Sequence, residues 1–198
     1  LKTMQCPAAQ ADRLYTFDGG VPIGLPAGAL VYTASASDYA PTSGVMGSVW
    51  SVIGGTPDNS RGGVLQPNVK TKILAVTDGT SNSILLGEFG GKNDLYIQGR
   101  LVSQGTEQGG GWGDPYSGEN WISGSDMSGT VSPGPCLIGC TNAQPVGSTG
   151  RGLYSFHSTG AHILLADGSV RFLSSSVDPR VVAYLITRAN GDIVPGDY

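Results

Sequence analysis

The feature that most constrains this chain lies in residues 161–173, where AHILLA, then Asp167-Gly168, then SVRFL follow one another. A two-residue Asp-Gly between apolar runs predicts a β-hairpin, because the tight turn asks for positive φ at both positions and this pair tolerates it. Asp178-Pro179 then predicts a helix N-cap and first helical residue. Val181, Val182, Leu185 and Ile186 recur at helical spacing, and Asn190-Gly191 supplies the stop. Ile193-Val194 is expected to return as a final edge strand. The pattern predicts an α+β fold with a mainly antiparallel sheet and a short C-terminal helix.

The rest of the chain is read as support for that sheet. Residues 1–15 (LKTMQCPAAQADRLY) read as the tail of a helix or an extended lead-in, broken at Cys6-Pro7. Between Gly19 and Gly63, the apolar pieces 29–32 and 45–53 alternate with Gly, Pro, Ser and Asp and read as short strands and turns. Residues 70–77 form a short apolar segment, 78–82 a turn, and 83–89 (SILLGEF) a buried strand carrying one acid, Glu88. Residues 99–150 are rich in glycine and lack periodicity. They are expected to be a long loop insertion in a single domain spanning residues 1–198. Such a length without regular structure is functional or pinned, and Trp112, Tyr116 and Trp121 are expected to lay it over the sheet.

Composition narrows the function. Eleven basic against fifteen acidic residues give a net charge of −4, with only 13% charged residues. Nucleic-acid binding is not expected, since it needs a basic footprint. No run of apolar residues is long enough to span a bilayer, and no signal peptide is visible. The chain opens at Leu1 rather than Met, which is expected of a processed or truncated product. Few lysines, abundant Ser, Thr and Gly, and three cysteines point to an extracytoplasmic location.

Several groups carry chemistry. Of the two histidines, His157 is expected to lock the approach to the hairpin through backbone hydrogen bonds, with a ligand role as the lesser reading; His162 alternates with apolar neighbours and reads as a face residue. No Gly-x-Ser-x-Gly elbow is present, so a nucleophilic triad and an enzymatic role are not expected. Cys136 and Cys140 have no partners at zinc-finger spacing. A disulfide is expected instead, and the pairings Cys136–Cys140, Cys6–Cys136 and Cys6–Cys140 all stand open. Asp114, Glu119, Asn120 and Asp126 are the densest cluster of oxygen ligands and the candidate calcium site, weighed against solvated turn acids. Trp112, Tyr116 and Trp121 offer a candidate glycan-stacking platform, weighed against loop anchors.

Residues 156–173, FHSTGAHILLADGSVRFL, place His157 ahead of Asp167-Gly168 with nine residues between. The segment resembles the His-x9-Asp-Gly signature of a prepilin-type family abundant in planctomycetes, long described as a domain of unknown function. Similar to the same family are VTDGTSNSILLGE at 76–88, GPCLIGCTN at 134–142, YLITRANGDIVPGDY at 184–198, the early Cys6-Pro7 and the Asp38-Tyr39 segment. The resemblance implies a type IV pilin or type II secretion pseudopilin: an apolar N-terminal helix, cleaved and methylated, then an outward-facing pilin-like head. This sequence lacks that helix. The expectation is therefore a non-enzymatic structural head in the cell envelope or an extracellular filament. It would assemble with copies of itself, and touch the membrane, through the helix it lacks. His157, Asp167 and Gly168 match the signature without a catalytic role following from the match. The resemblance also raises calcium, since major pseudopilins carry a loop calcium site. The alternative is an extracellular binding module for a glycan or calcium through residues 112–126.

Overall fold

The computed structural model describes residues 1–18, 26, 28–55, 61–144, 150–196 and 198. In chain order its strands are β1 (Leu14–Asp18), β2 (Val31–Ser35), β3 (Tyr39–Pro41), β4 (Gly44–Val45), β5 (Ile84–Glu88), β6 (Leu95–Ile97), β7 (Arg100–Ser103), β8 (Trp121–Ile122), β9 (Gly160–Leu165) and β10 (Val170–Ser174). Helix α1 is Gly47–Ile53 and helix α2 is Pro179–Ile186. The fold is α+β with mostly antiparallel pairing. A four-stranded antiparallel sheet runs in the order β10-β9-β5-β3. The pairs β1-β2 and β6-β7 are antiparallel, and the two-residue β4-β8 pair is parallel.

The β9-β10 hairpin forms where the sequence placed it, with a different turn. The Gly168 N–H donates to the Leu165 carbonyl at 3.0 Å and the Leu165 N–H to the Ser169 carbonyl at 2.9 Å. Of the Asp-Gly pair only Gly168 has positive φ, at +88°. This is a three-residue loop whose αL residue follows an ordinary turn, not a two-residue mirror-image turn. Asp167 caps the loop from its side chain, its Oδ1 accepting from the Ser169 N–H and hydroxyl at 2.9 and 2.7 Å.

Strand β5 carries the irregularity that sets the site. Ile84 pairs with Leu165, whereas Leu86 pairs with Leu164 and Gly87 with Ile163, so one extra residue is bulged out at Leu85. Side chains alternate faces along a strand. Without the bulge, Glu88 would share the core face of Ile84. With it, Leu86 and Glu88 turn to the outer face, beside Leu164 and His162.

The inner face is the core. Ile84, Ile163, Leu165 and Leu173 pack with Val182, Leu185 and Ile186 of α2 and with Val49 and Trp50 of α1. The rings of Trp50 and Tyr184 stack at 6.0 Å. Helix α2 starts as its sequence dictates: Asp178 accepts from the Arg180 N–H at 2.8 Å and Pro179 takes the first position. It ends at Ile186, before Asn190-Gly191, because Thr187 turns extended. Within the piece 45–53, Val45 lies in β4 as expected, but residues 47–53 hold helix α1: Val49, Trp50 and Ile53 recur at helical spacing, and Gly54 at φ +76° ends it. The expected edge strand at Ile193-Val194 does not form, and Ile193 is 87% exposed. Parts of the stretch between Gly19 and Gly63, namely 19–25, 27 and 56–60, lie outside the described residues, as do 145–149.

The glycine-rich stretch 99–150 is pinned rather than draped. It contains β7 and β8. Ser125 and Cys136 exchange both backbone hydrogen bonds at 2.8 and 3.0 Å, and Cys136 is disulfide-bonded to Cys140. Glycine is required where this backbone doubles back: a Cβ on Gly134 would lie 2.1 Å from the Ser125 carbonyl carbon.

Candidate functional site

On the outer face of the sheet, the bulge turns Glu88 toward the N-terminal segment and the turn before β9. Glu88 is fully buried, an unusual place for a carboxylate unless it is paired. The His162 N–H donates to its Oε2 at 2.6 Å, and His162 Nδ1 lies 3.5 Å from that oxygen. The other oxygen, Oε1, is buried without a hydrogen-bond partner among the described residues. It faces His157 Nε2 at 3.8 Å, and His157 Nε2 in turn lies 3.6 Å from Cys6 Sγ. The two imidazoles meet edge to face, with centroids 4.8 Å apart. Tyr39 on β3 sits opposite Glu88. Burial, followed by the Glu88 charge, pushes the Tyr39 phenol up, and burial does the same to the Cys6 thiol.

The segment that carries Cys6 is fastened by Asp38, which is itself buried. Asp38 Oδ2 accepts from the Cys6 N–H at 2.7 Å and Oδ1 from the Gly91 N–H at 3.2 Å, while Arg13 Nη2 reaches both oxygens. The Asp38 N–H donates to the Met4 carbonyl at 2.8 Å and its carbonyl accepts from Phe89 at 2.7 Å, tying residues 4–6 to the end of β5. Beyond the cluster an apolar groove of about 520 Å³ opens along the sheet. Its floor is Leu86, Leu164 and Val170, its wall is Met4 and Pro7, and the two histidines stand at its head.

The residues singled out from sequence are distributed as follows. His157 belongs to the cluster; its own N–H donates to Ser155 Oγ at 3.1 Å. Asp167 and Gly168 form the hairpin loop. Asp114 is the N-cap of the turn Pro115–Gly118, accepting from Tyr116 and Gly109 at 2.7 and 3.1 Å. Glu119 closes that turn, and Asn120 donates to the Pro41 and Ser117 carbonyls. Asp126 accepts from Thr130 and Val131 at 2.9 Å each and from the Ser128 hydroxyl, whose hydrogen bond holds its carboxyl down at about 2. Among the described residues, Cys6, Glu88 and His157 form the one trio of thiol, imidazole or carboxylate groups whose ligand atoms lie within 4.8 Å of one another. Asp114, Glu119 and Asp126 are not brought together in that way.

The three aromatics have separate surroundings. Trp112 is 58% exposed and does not anchor its loop. Tyr116 stacks on Phe17 at 6.1 Å, and the Trp121 ring fills the space where Gly44 lacks a side chain. Of the three open cysteine pairings, Cys136–Cys140 forms, and Cys6 is free and buried. Glu88, Asp38, Arg13 and His162 were not read from sequence as site residues. For Glu88 the signal was present, since an acid inside an apolar strand needs a partner.

Fold and site together define an α+β protein whose antiparallel sheet carries a buried carboxylate, flanked by thiol and imidazole, at the head of an apolar groove. A family model described as "Protein of unknown function (DUF1559)" matches residues 1–180, and the chain belongs to that family. No curated protein and no solved structure matches it.

Proposed function

We propose that the chain is the exposed head of a pilin-like or pseudopilin-like subunit, a non-enzymatic structural part of the cell envelope or of an extracellular filament. The observation that carries the reading is the groove on the outer face of the sheet. One face of the sheet is sealed by α1 and α2, while the other leaves Leu86, Leu164 and Val170 in an open channel beside Met4 and Pro7. An amphipathic or apolar helix is the element that buries such a surface. A helix joined ahead of residue 1 would reach it directly, because residues 3–7 already run along its wall. The disulfide supports an oxidising, extracytoplasmic location. No helix of the described residues is long and apolar enough to cross a membrane, so filament and membrane contacts are assigned to the preceding helix.

The test is the intact mass and N-terminal sequence of the protein isolated from its native cells. A methylated amine followed by about 20 apolar residues, the length that spans a bilayer, is the expected result. A native chain that begins near Leu1 would overturn the proposal. Leu164→Asp in the full native chain provides the structural arm: the head stays folded and assembly is lost.

A further inference from the structure

We infer that Cys6, Glu88 and His157 form a binding site for a zinc-class divalent transition metal, with Cys6 Sγ, Glu88 Oε1 and His157 Nε2 as ligands and the fourth position facing the groove. This goes beyond the head-domain reading and does not rest on it.

The three ligand atoms are spaced close to the edges that a metal-centred tetrahedron requires. A His157 Nε2 to Glu88 Oε1 separation of 3.8 Å is too long for a hydrogen bond. Zinc takes nitrogen and oxygen at about 2.0–2.1 Å and sulfur at about 2.3 Å in a tetrahedron, which sets nitrogen–oxygen edges near ~3.3 Å and sulfur–nitrogen edges near ~3.6 Å. The Cys6 Sγ to His157 Nε2 distance of 3.6 Å equals such an edge. The carboxylate edge needs to contract by about half an ångström. All three ligand atoms lie within 4.8 Å of one another.

The same carboxylate oxygen lacks a partner. Among the described residues Glu88 Oε1 is fully buried and makes no hydrogen bond, its potential neutral donors being the Tyr39 phenol and the Cys6 thiol. Buried acceptors left in that state are costly and rare. A cation held between this oxygen, a thiolate and an imidazole supplies the missing partner.

Each of the three residues is also anchored from outside the site. Asp38 fixes the Cys6 N–H at 2.7 Å, Ser155 fixes the His157 N–H at 3.1 Å, and the His162 N–H fixes the other Glu88 oxygen at 2.6 Å. The first two bonds fix the backbone from which each ligand projects, and the third holds the carboxylate itself, as outer-shell partners of metal ligands do. The donor set selects the metal: a thiolate with an imidazole favours zinc or its neighbours over calcium and magnesium, which take oxygen ligands. His157 also lines the groove, which gives the ion a route in. When the ion binds, the Cys6 thiol and the Glu88 carboxyl are held deprotonated and any displaced protons pass to solvent.

The experiment uses the chain without an affinity tag and with its disulfide intact, stripped with a chelator and titrated with Co²⁺ and then Zn²⁺. One Co²⁺ per chain is expected, with a thiolate-to-metal charge-transfer band and intense visible bands of a tetrahedral site, all removed by Zn²⁺. Cys6→Ser abolishes the charge-transfer band, and His157→Gln lowers the affinity at least tenfold. His157 is partly exposed, so His157→Gln keeps the test decisive if Cys6→Ser does not fold. Absence of stoichiometric Co²⁺ uptake by the folded wild-type chain overturns the proposal. So does a charge-transfer band that survives Cys6→Ser, or an affinity unmoved by His157→Gln.

Discussion

Replacing Asp38 by alanine removes one carboxylate and strands three donors. Asp38 is 1% exposed and accepts from the Cys6 N–H, the Gly91 N–H and the Arg13 guanidinium. Each buried N–H left without an acceptor costs about 1–3 kcal/mol. Removing one partner of a buried ion pair costs about 3–5 kcal/mol. These figures overlap because they count the same carboxylate, so the expected loss is about 3–5 kcal/mol. That is a large share of the roughly 5–15 kcal/mol that holds a domain together. For a chain of this length each kcal/mol lowers Tm by about 2–4 °C, giving a drop of about 6–20 °C. Asp38→Asn, which keeps an acceptor oxygen but not the charge, should cost less. Urea unfolding followed by intrinsic tryptophan fluorescence measures both, the midpoint falling at unchanged slope. Hydrogen exchange at the Cys6 amide should accelerate before global unfolding, since Asp38 is what fastens residues 4–6. A loss under about 1 kcal/mol for Asp38→Ala would refute the reasoning, because it would mean that neither the ion pair nor the amide acceptors matter.

Three further outcomes are expected. At Gly168 an added Cβ meets no atom of the described residues within 4 Å, so the cost of Gly168→Ala is the positive φ, about 1–2 kcal/mol; Gly134→Ala drives a Cβ into backbone 2.1 Å away and should cost more, about 3 kcal/mol. Equal urea midpoints for the two variants would contradict this. Reducing the Cys136–Cys140 bridge, whose cysteines are 4 residues apart, should lower stability by about 2 kcal/mol through loop entropy. Alkylation of the unfolded, unreduced chain should label Cys6 alone; a mass with three labels would remove the disulfide. Burial lowers the Lys92 ammonium to about 8 from its ordinary 10.5. Between those values the unfolded chain holds a proton that the folded chain has released, so the contribution of Lys92 to stability rises with pH across that window and is constant below it. The stability of wild type relative to Lys92→Met should therefore climb between about pH 8 and 9.5, and a flat difference would refute it.

What was legible in the sequence is what local physics decides. The apolar alternation of β9, the Gly168 loop and the Asp178-Pro179 cap act over a few residues, and each formed in place. The turn type differs from expectation because Asp-Gly serves two loop lengths, and only the pairing of Leu165 with Ser169 distinguishes them. Residues 47–53 are helical against expectation because two adjacent apolar residues, Val49 and Trp50, fit either period in so short a segment. The site was far less legible. Cys6 and His157 touch across a separation of 151 residues, and no spacing rule carries that. His162 does lie on the sheet face its alternation predicts, but nothing in that alternation marks it as a neighbour of Glu88.

The missing piece was the register of β5, and it joins the fold to the site. Seven residues from Ser83 to Phe89 read as one buried strand, which a strict alternation would split into Ile84, Leu86 and Glu88 on one face and Leu85 and Gly87 on the other. Under that phase Glu88 would point among Ile163, Leu165 and Leu173, where an ionised carboxylate has no partner and costs several kcal/mol. The bulge at Leu85 shifts the phase so that Ile84 keeps the core, Gly87 packs against Leu153, and Glu88 turns to the histidines. Sheet pairing alone does not cover the outer face, so the segment 4–7, fastened by Asp38, closes over the carboxylate and brings Cys6 with it. The groove continues along that same face, past the point where this segment stops covering it. One extra residue in one strand thus makes the outer face chemically different from the core face. It places the acid, the thiol and the imidazoles at one end of the groove and leaves the rest apolar.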